Sequence, residues 1–346
     1  MNSHHPFHIA LWILIALASL LMMAIAIFFT YEASRERSAE EEPREIQITH
    51  ASMHDGAHTQ EEDESVTLMF VGDMMLDRGV KSSVQRNFDG DYSRLFDHLD
   101  IFERADILFG NLEGPASDTG RNVGSRFSFR MDPAILPVLK EQGFSIVSLA
   151  NNHAGDWSMA AFTDTLRRLN ENDIAYTGAG FTYKEATQPT VLETNDIRFG
   201  FLGFTDVGPQ WLEATETSPG ILLASDPRYT EIIRQAKESV DYLIVTVHWG
   251  AEYVPHTARQ TSLAHDAIDA GADFVIGHHP HVIQATEEYK DGFIAYSLGN
   301  FIFDQYFSEE TMRGFAVELA LKDNQITSLG VLPYELNELY QPIFRD

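Results

Sequence analysis

His278, His279 and His281 place three imidazoles within four residues, with Pro280 between them to fix the turn. Such a cluster packs poorly but suits a metal, because neutral imidazole is a common ligand for divalent ions. Five other short segments put His, Asp, Glu or Asn directly after an apolar run. They are Val71-Gly72-Asp73, Gly110-Asn111-Leu112-Glu113, Asn151-Asn152-His153, Val247-His248-Trp249-Gly250 and Ser297-Leu298-Gly299-Asn300-Phe301. Each reads as the C-terminal end of a strand opening into a loop, the edge where α/β sheets bind their ligands. Together they predict one composite metal site.

The residues differ in how much each says alone. Asp73 offers a hard oxygen after Gly72, which permits close backbone approach; a turn aspartate is the ordinary alternative. Glu113, just before Gly114-Pro115, has the chemistry to bridge two ions, or is a surface-loop glutamate. In Asn152-His153 an amide carbonyl can ligate while the adjacent imidazole faces substrate. His248 ends an apolar strand, a poor place for a structural histidine. His256 and His265 are expected on loop and helix surfaces with ordinary roles. Two divalent ions ~3.5–4 Å apart would activate water and clamp a phosphoryl group, leaving His153 as a general acid. Because imidazole must be neutral to ligate, metal affinity is expected to fall in acid.

Buried strands are expected at Val66 to Val71, Ile107 to Phe109, Ser145 to Leu149, Ile197 to Leu202 and Tyr242 to Val247. Further ones follow at Phe274 to Ile276, Phe293 to Tyr296 and Phe315 to Leu321. Helices are expected over Pro133 to Gln142, Ala160 to Asn170, Thr230 to Val240 and Ser262 to Ala270. The first has Asp132 as N-cap, Pro133 at its first position and Gly143 past its end. This alternation implies a layered α/β domain. The C-terminal part reads as more purely β, in a mixed or two-sheet arrangement.

The 346 residues are 44% hydrophobic and include no cysteine. Thiolate sites, disulfides and cysteine nucleophiles are therefore excluded, and His, Asn and carboxylates suit Mn, Zn, Fe or Mg. The net charge of −28 disfavours nucleic acid as a partner, because its phosphates would be repelled. It also fits a high-salt habitat, where the Debye length shrinks to ~3 Å at 1 M.

Ile9 to Phe29 is uncharged and almost wholly apolar, long enough for a helix to cross a bilayer core of ~30 Å. An uncleaved anchor is expected, since a signal peptide has a shorter apolar stretch. Arg35 and Arg37 follow the span with no Lys or Arg before it, so the positive-inside rule taken literally puts the C-terminus in the cytoplasm. Residues 32–65 read as an acidic disordered linker. His50, His54 and His58 lie four apart there, but their Glu, Asp, Gly and Ser neighbours favour a solvated tether over a metal-binding helix.

Across residues 66–335 the motifs, in this order, resemble the poly-γ-glutamate capsule synthesis protein family. They run from Phe70-Val71-Gly72-Asp73-Met74-Met75 through Ser148 to Ala154, Leu202 to Val207 and His248 to Glu252. Gly277 to Val282 and Tyr296 to Phe301, with Phe303-Asp304, complete them. The resemblance implies a divergent calcineurin-type metallophosphatase domain, layered α/β/β/α, after one N-terminal transmembrane helix, with residues 336–346 as a tail. It implies an accessory subunit of poly-γ-glutamate synthesis or export in the cell membrane, its large domain extracellular. Its partners would be the membrane synthase subunits and the anionic polymer. A cell-surface metal-dependent phosphoesterase or other hydrolase is the alternative. Carried over residue by residue, one ion would take Asp73, Glu113 and His281. The other would take Glu113, Asn152, His248 and either His278 or His279. Metallophosphatases usually open with Asp-x-His, whereas Met74 and Met75 follow Asp73 here. That gap leaves one or two ions, and weak or no hydrolysis, open. Arg78, Glu252, Asn300 and Asp304 are expected to line the pocket, with structural loop contacts as the alternative; the Arg78 guanidinium suits an anion.

Overall fold

The structure is a computed structural model that describes residues 65–345. The expected span from Ile9 to Phe29, and His50, His54 and His58, lie outside the described residues. Among the described residues, no helix is long and apolar enough to cross a membrane.

The described residues form sixteen strands, in chain order: β1 Val66–Met74, β2 Ile107–Leu112, β3 Phe144–Ser148, β4 Ala175–Thr177, β5 Ala179–Gly180, β6 Thr190–Thr194, β7 Ile197–Thr205 and β8 Gly220–Ile221, then β9 Tyr242–His248, β10 Phe274–His278, β11 Thr286–Tyr289, β12 Gly292–Ala295, β13 Asn300–Ile302, β14 Arg313–Lys322, β15 Gln325–Leu336 and β16 Pro342–Phe344. One sheet runs β16-β15-β14-β1-β2-β3-β4, with β13 also paired to β1. The other runs β11-β12-β10-β9-β7-β6. β1 to β4 are mutually parallel, as are β7, β9, β10 and β12. Helices Ile135–Glu141 and Ser158–Glu171 cross between strands of the first sheet; Tyr229–Lys237 and Ala258–Asp269 do so in the second. Parallel strands joined by helices present all their C-terminal ends at one edge.

Alternating side chains separate the layers. Leu68, Phe70 and Phe109 meet Phe199, Phe201 and Ile244 between the sheets, and the Phe109 and Phe201 rings stack at 5.9 Å. On the far face of the first sheet, Met69 and Val71 meet Val84, Leu136 and Phe162. On the far face of the second, Val245 and Val275 meet Ile233 and Leu263. The order is helix, sheet, sheet, helix, as expected, and burial on both faces explains the near-continuous apolar runs of these strands.

Several boundaries move. The helix expected from Pro133 begins at Ile135: the Asp132 carboxylate accepts from Ala134 N–H, and a turn precedes the helix. The helix expected from Ser262 begins at Ala258, where Thr257 and Gln260 form a reciprocal capping box. In the stretch expected as a tail, β16 pairs with β15.

Two glycines let the sheets close around the site. A Cβ on Gly72 would lie 2.0 Å from the Gly299 carbonyl oxygen, and one on Gly277 2.1 Å from that of Tyr296. Both obstacles are backbone and cannot rotate away. Gly277→Ala is expected to destabilise the fold by about 2–3 kcal/mol, read as a lowered urea midpoint at unchanged slope.

Candidate metal centre

The strand register does most of the assembly. Asp73 pairs with Asn111 of β2 on one side and Asn300 of β13 on the other. In the second sheet, His248 of β9 pairs with His278 of β10. A register shift between Phe70 and Asp73 sets the last residues of β1 apart from the regular ladder.

Asp73 is fully buried and fully engaged. Its Oδ1 accepts from the Asn111 amide at 2.7 Å and its Oδ2 from His279 N–H at 3.1 Å. The His281 Nδ1 lies 3.3 Å from Oδ2. Burial alone would raise this carboxyl, but His281, the nearby His278 and Asn111 together hold it below the ordinary aspartate range.

His281 is the hub. Its Nδ1 meets the Asn300 side-chain Oδ1 at 3.0 Å, and its Nε2 lies 3.7 Å from Glu113 Oε1. Burial works against its charge, but Glu113 and Asp73 overcome it and hold the imidazole at about 9. Asn300, expected to line the pocket, instead fixes this ring. Its own amide donates to Gln305 and to the Thr311 carbonyl. Asn300→Ala is expected to weaken metal binding ~10-fold or more, as loss of a ligand-orienting partner does, measured by titration of the metal-free protein.

Glu113 is buried, and its Oε1 has no hydrogen-bond partner. Burial pushes this carboxyl well above the glutamate range; His281 opposes, while Asp73, Glu252 and Asp156 add to the rise. His279 Nδ1 is likewise buried and unpartnered. Burial, with His281 and His153 nearby, brings the His279 imidazole down to about 3.

His279 and His281 both take positive φ, +99° and +58°, unusual for residues with a Cβ. Backbone strain of this kind is retained where side-chain placement matters. His248 donates from Nε2 to the Asn152 side-chain Oδ1 at 2.8 Å, and its ring centroid is 4.7 Å from that of His279. Burial and the surrounding histidines put His248 well below its ordinary value.

His278 is placed differently. Its Nε2 donates to the Val71 carbonyl at 3.2 Å and its Nδ1 accepts from the Thr246 hydroxyl at 3.3 Å. Both ring nitrogens are committed, so His278 ties β10 to β1, and His279 is the residue with a nitrogen to spare.

His153 holds its Nδ1 2.7 Å from Asp156 Oδ2 and its Nε2 3.8 Å from Glu113 Oε1. Its ring lies against Phe129 at 3.9 Å. Arg78 and Asp304 are partners of each other. The guanidinium grips both carboxylate oxygens, and Asp304 also accepts from Gly79 N–H at 2.9 Å. The Arg78 fork is therefore occupied, and Asp304 serves the start of the helix Arg78–Asn87. Glu252 is exposed and joins His279 and His281 in one group of ligand atoms within 4.8 Å of one another; Asp73, Glu113 and His281 form another.

Sequence reasoning did not assign Asn111, Asn151 or Asp156. The Asn151 side-chain amide donates to the Asn111 side-chain Oδ1 and to the Leu112 backbone carbonyl, joining two strand ends. Both asparagines follow apolar runs, as Asn152 does, and Asp156 stands three residues after His153; those were the available signals. His256, stacked on Tyr296, and His265, hydrogen-bonded to Glu287, have structural roles.

These residues fit a divalent cation. Two unpartnered buried ligand atoms, Glu113 Oε1 and His279 Nδ1, stand among carboxylates, imidazoles and an amide carbonyl. That donor set suits Mn, Fe, Zn or Mg.

Residues 67–305 match the family described as bacterial capsule synthesis protein PGA_cap. The chain belongs to that family. It is similar to the capsule biosynthesis protein CapA of Bacillus anthracis, 35% identical over 287 residues, covering 80% of this chain and 69% of that protein. It is similar also to the PGA biosynthesis protein CapA of Bacillus subtilis (strain 168), 33% identical over 282 residues, covering 80% and 73%. A solved structure of a hypothetical protein from Thermus thermophilus is 18% identical with a TM-score of 0.48, covering 78% of this chain and 99% of that one. That likeness is distant, and the layer order itself defines the fold. The stretch matched to the PGA_cap family holds every strand end of the candidate centre; β14 to β16 lie beyond it.

Proposed function

We propose that the protein is an accessory subunit of poly-γ-glutamate capsule synthesis or export, anchored by its apolar N-terminal segment with the large domain outside the cell. Membership of the capsule synthesis family carries this reading, and the length of the Ile9 to Phe29 stretch supports the anchor. Its partners are membrane subunits of the synthase and the polymer itself.

In this reading Asp73, Glu113 and His281 would hold one divalent ion, and Glu113, Asn152, His248 and His279 would be the ligands available to a second, with Glu252 beside them. A bound ion supplies Lewis acidity and positive charge for a carboxylate or phosphoryl oxygen. The chain's own residues do the rest. Asn300 and Asp73 orient the His281 ring. Asp156 holds Nδ1 of His153, so its Nε2 faces Glu113 and can hold or deliver a proton at that point. The carboxylate excess would otherwise repel an acidic polymer, so positive charge at the site is a requirement.

Deletion of the gene is expected to abolish extracellular polymer, restored by the wild-type gene and not by Glu113→Gln. Normal polymer in the deletion strain would overturn the reading. Cleavage of residues 66–346 by protease added to intact cells tests the topology.

A second reading, a cell-surface metal-dependent phosphoesterase or other hydrolase, is favoured by the His153–Asp156 pair at 2.7 Å. It requires turnover of a generic phosphodiester with Mn²⁺ and a ~10²–10⁴-fold loss in His153→Ala. Absence of turnover removes this reading and leaves the first.

A further inference from the structure

We propose that the loop from Arg121 to Arg130 is a recognition strip for a linear polycarboxylate, taking its carboxylates on Arg121, Arg126 and Arg130 beside the metal centre. This rests on the polymer-handling reading above and adds the residues that would grip the polymer.

The chain has 52 acidic side chains against 24 basic ones, so a carboxylate partner is the ordinary fate of an arginine here. Among the described residues, the arginines with no carboxylate oxygen within 4.0 Å are Arg86, Arg121, Arg126 and Arg130. Three of these four fall in one ten-residue stretch. Arg121 and Arg126 are exposed and Arg130 is half-buried. Arg78, the obvious anion ligand from sequence, is spent on Asp304; these three are not spent.

The strip is held in place rather than loose. Arg121 N–H donates to the Trp157 carbonyl at 3.2 Å and Val123 N–H to that of Asp156 at 3.0 Å. Phe129 N–H donates to the Asp156 carboxylate at 2.9 Å and Arg130 N–H to Asp77 at 2.8 Å. Asp156 therefore anchors both the strip and His153, and Phe129 lies against the His153 ring. The Arg130 guanidinium stacks 3.7 Å above Trp157, which fixes its plane and leaves its edge donors available for a bidentate carboxylate.

The strip is also partly apolar. Val123 is 45% and Phe127 52% exposed, between the arginines. Alternating guanidinium and apolar side chains match a polymer whose carboxylates are separated by methylene and amide segments.

The test is binding of fluorescently labelled poly-γ-glutamate to the full-length chain in detergent. Arg121→Gln/Arg126→Gln is expected to weaken binding about tenfold at ~0.1 M salt, where charge pairs are partly screened, with metal content unchanged. The control Arg234→Gln/Arg345→Gln removes two guanidinium groups that pair with Glu231 and Glu335. It is expected to bind as wild type. Undiminished binding by the first variant, or equal weakening by the control, would overturn the strip while leaving the polymer reading intact. So would equal competition by an oligonucleotide of the same charge. No binding by the wild type would overturn both.

Discussion

Asp73→Asn is expected to lose bound divalent metal, with affinity reduced about 100-fold or more, since a ligand outweighs the ~10–100-fold typical of a ligand's supporting partner. The substitution removes a buried carboxylate held below its ordinary range, and with it a charge that sustains the His281 imidazolium. It also sets an amide NH₂ against donors. Asn111 Nδ2 approaches one carboxylate oxygen and His279 N–H the other, so either orientation of the new amide leaves a donor facing a donor. That conflict costs about 1–3 kcal/mol in a buried setting, enough to lower the melting temperature without unfolding the domain. Metal analysis after desalting, with melting curves in the presence and absence of Mn²⁺, separates the two effects. Stoichiometric metal retained by Asp73→Asn would remove Asp73 from the ligand set.

Metal affinity is expected to rise with pH up to about 9, by roughly tenfold per pH unit for each proton displaced. In the metal-free protein His281 stays protonated to about 9 and burial raises the Glu113 carboxyl well above its ordinary range, so an ion competes with protons at both ligands. His248 and His279 are already neutral at pH 7 because burial holds them down and release none.

The same shifts fix the metal-free protein's stability. A raised imidazole contributes stability that is full below its unfolded value near 6.5 and lost as pH rises toward 9. Depressed imidazoles act in the other direction: as pH falls below about 6.5 the unfolded chain takes up protons that folded His248 and His279 refuse. The metal-free protein should thus lose melting temperature on both sides of neutrality, and Mn²⁺ should abolish the loss on the alkaline side. Titrations at pH ~6.5, ~7.5 and ~8.5 that give equal affinities would refute the assignment of His281 as the proton-bearing ligand.

The layers were legible because parallel strands buried on both faces leave continuous apolar runs, and because ligand-type residues stand where those runs stop. What was illegible depends on long-range register. No local pattern reveals that Asp73 lies between Asn111 and Asn300, or that Arg78 meets a carboxylate 226 residues away. The choice between His278 and His279 turns on strand geometry. His278 is still within β10 and bonds back to β1, while His279 follows the strand with a positive φ. Arg121, Arg126 and Arg130 carry no local signal either; they stand out only because the other arginines near the site pair with carboxylates distant in sequence.

A crystal structure of the protein soaked with Mn²⁺, read by anomalous scattering, tests the central claim most directly. The predicted result is a peak bounded by Asp73, Glu113 and His281, with His278 still bonded to the Val71 carbonyl. A peak coordinated by His278, or no peak at these strand ends under saturating Mn²⁺, would contradict it.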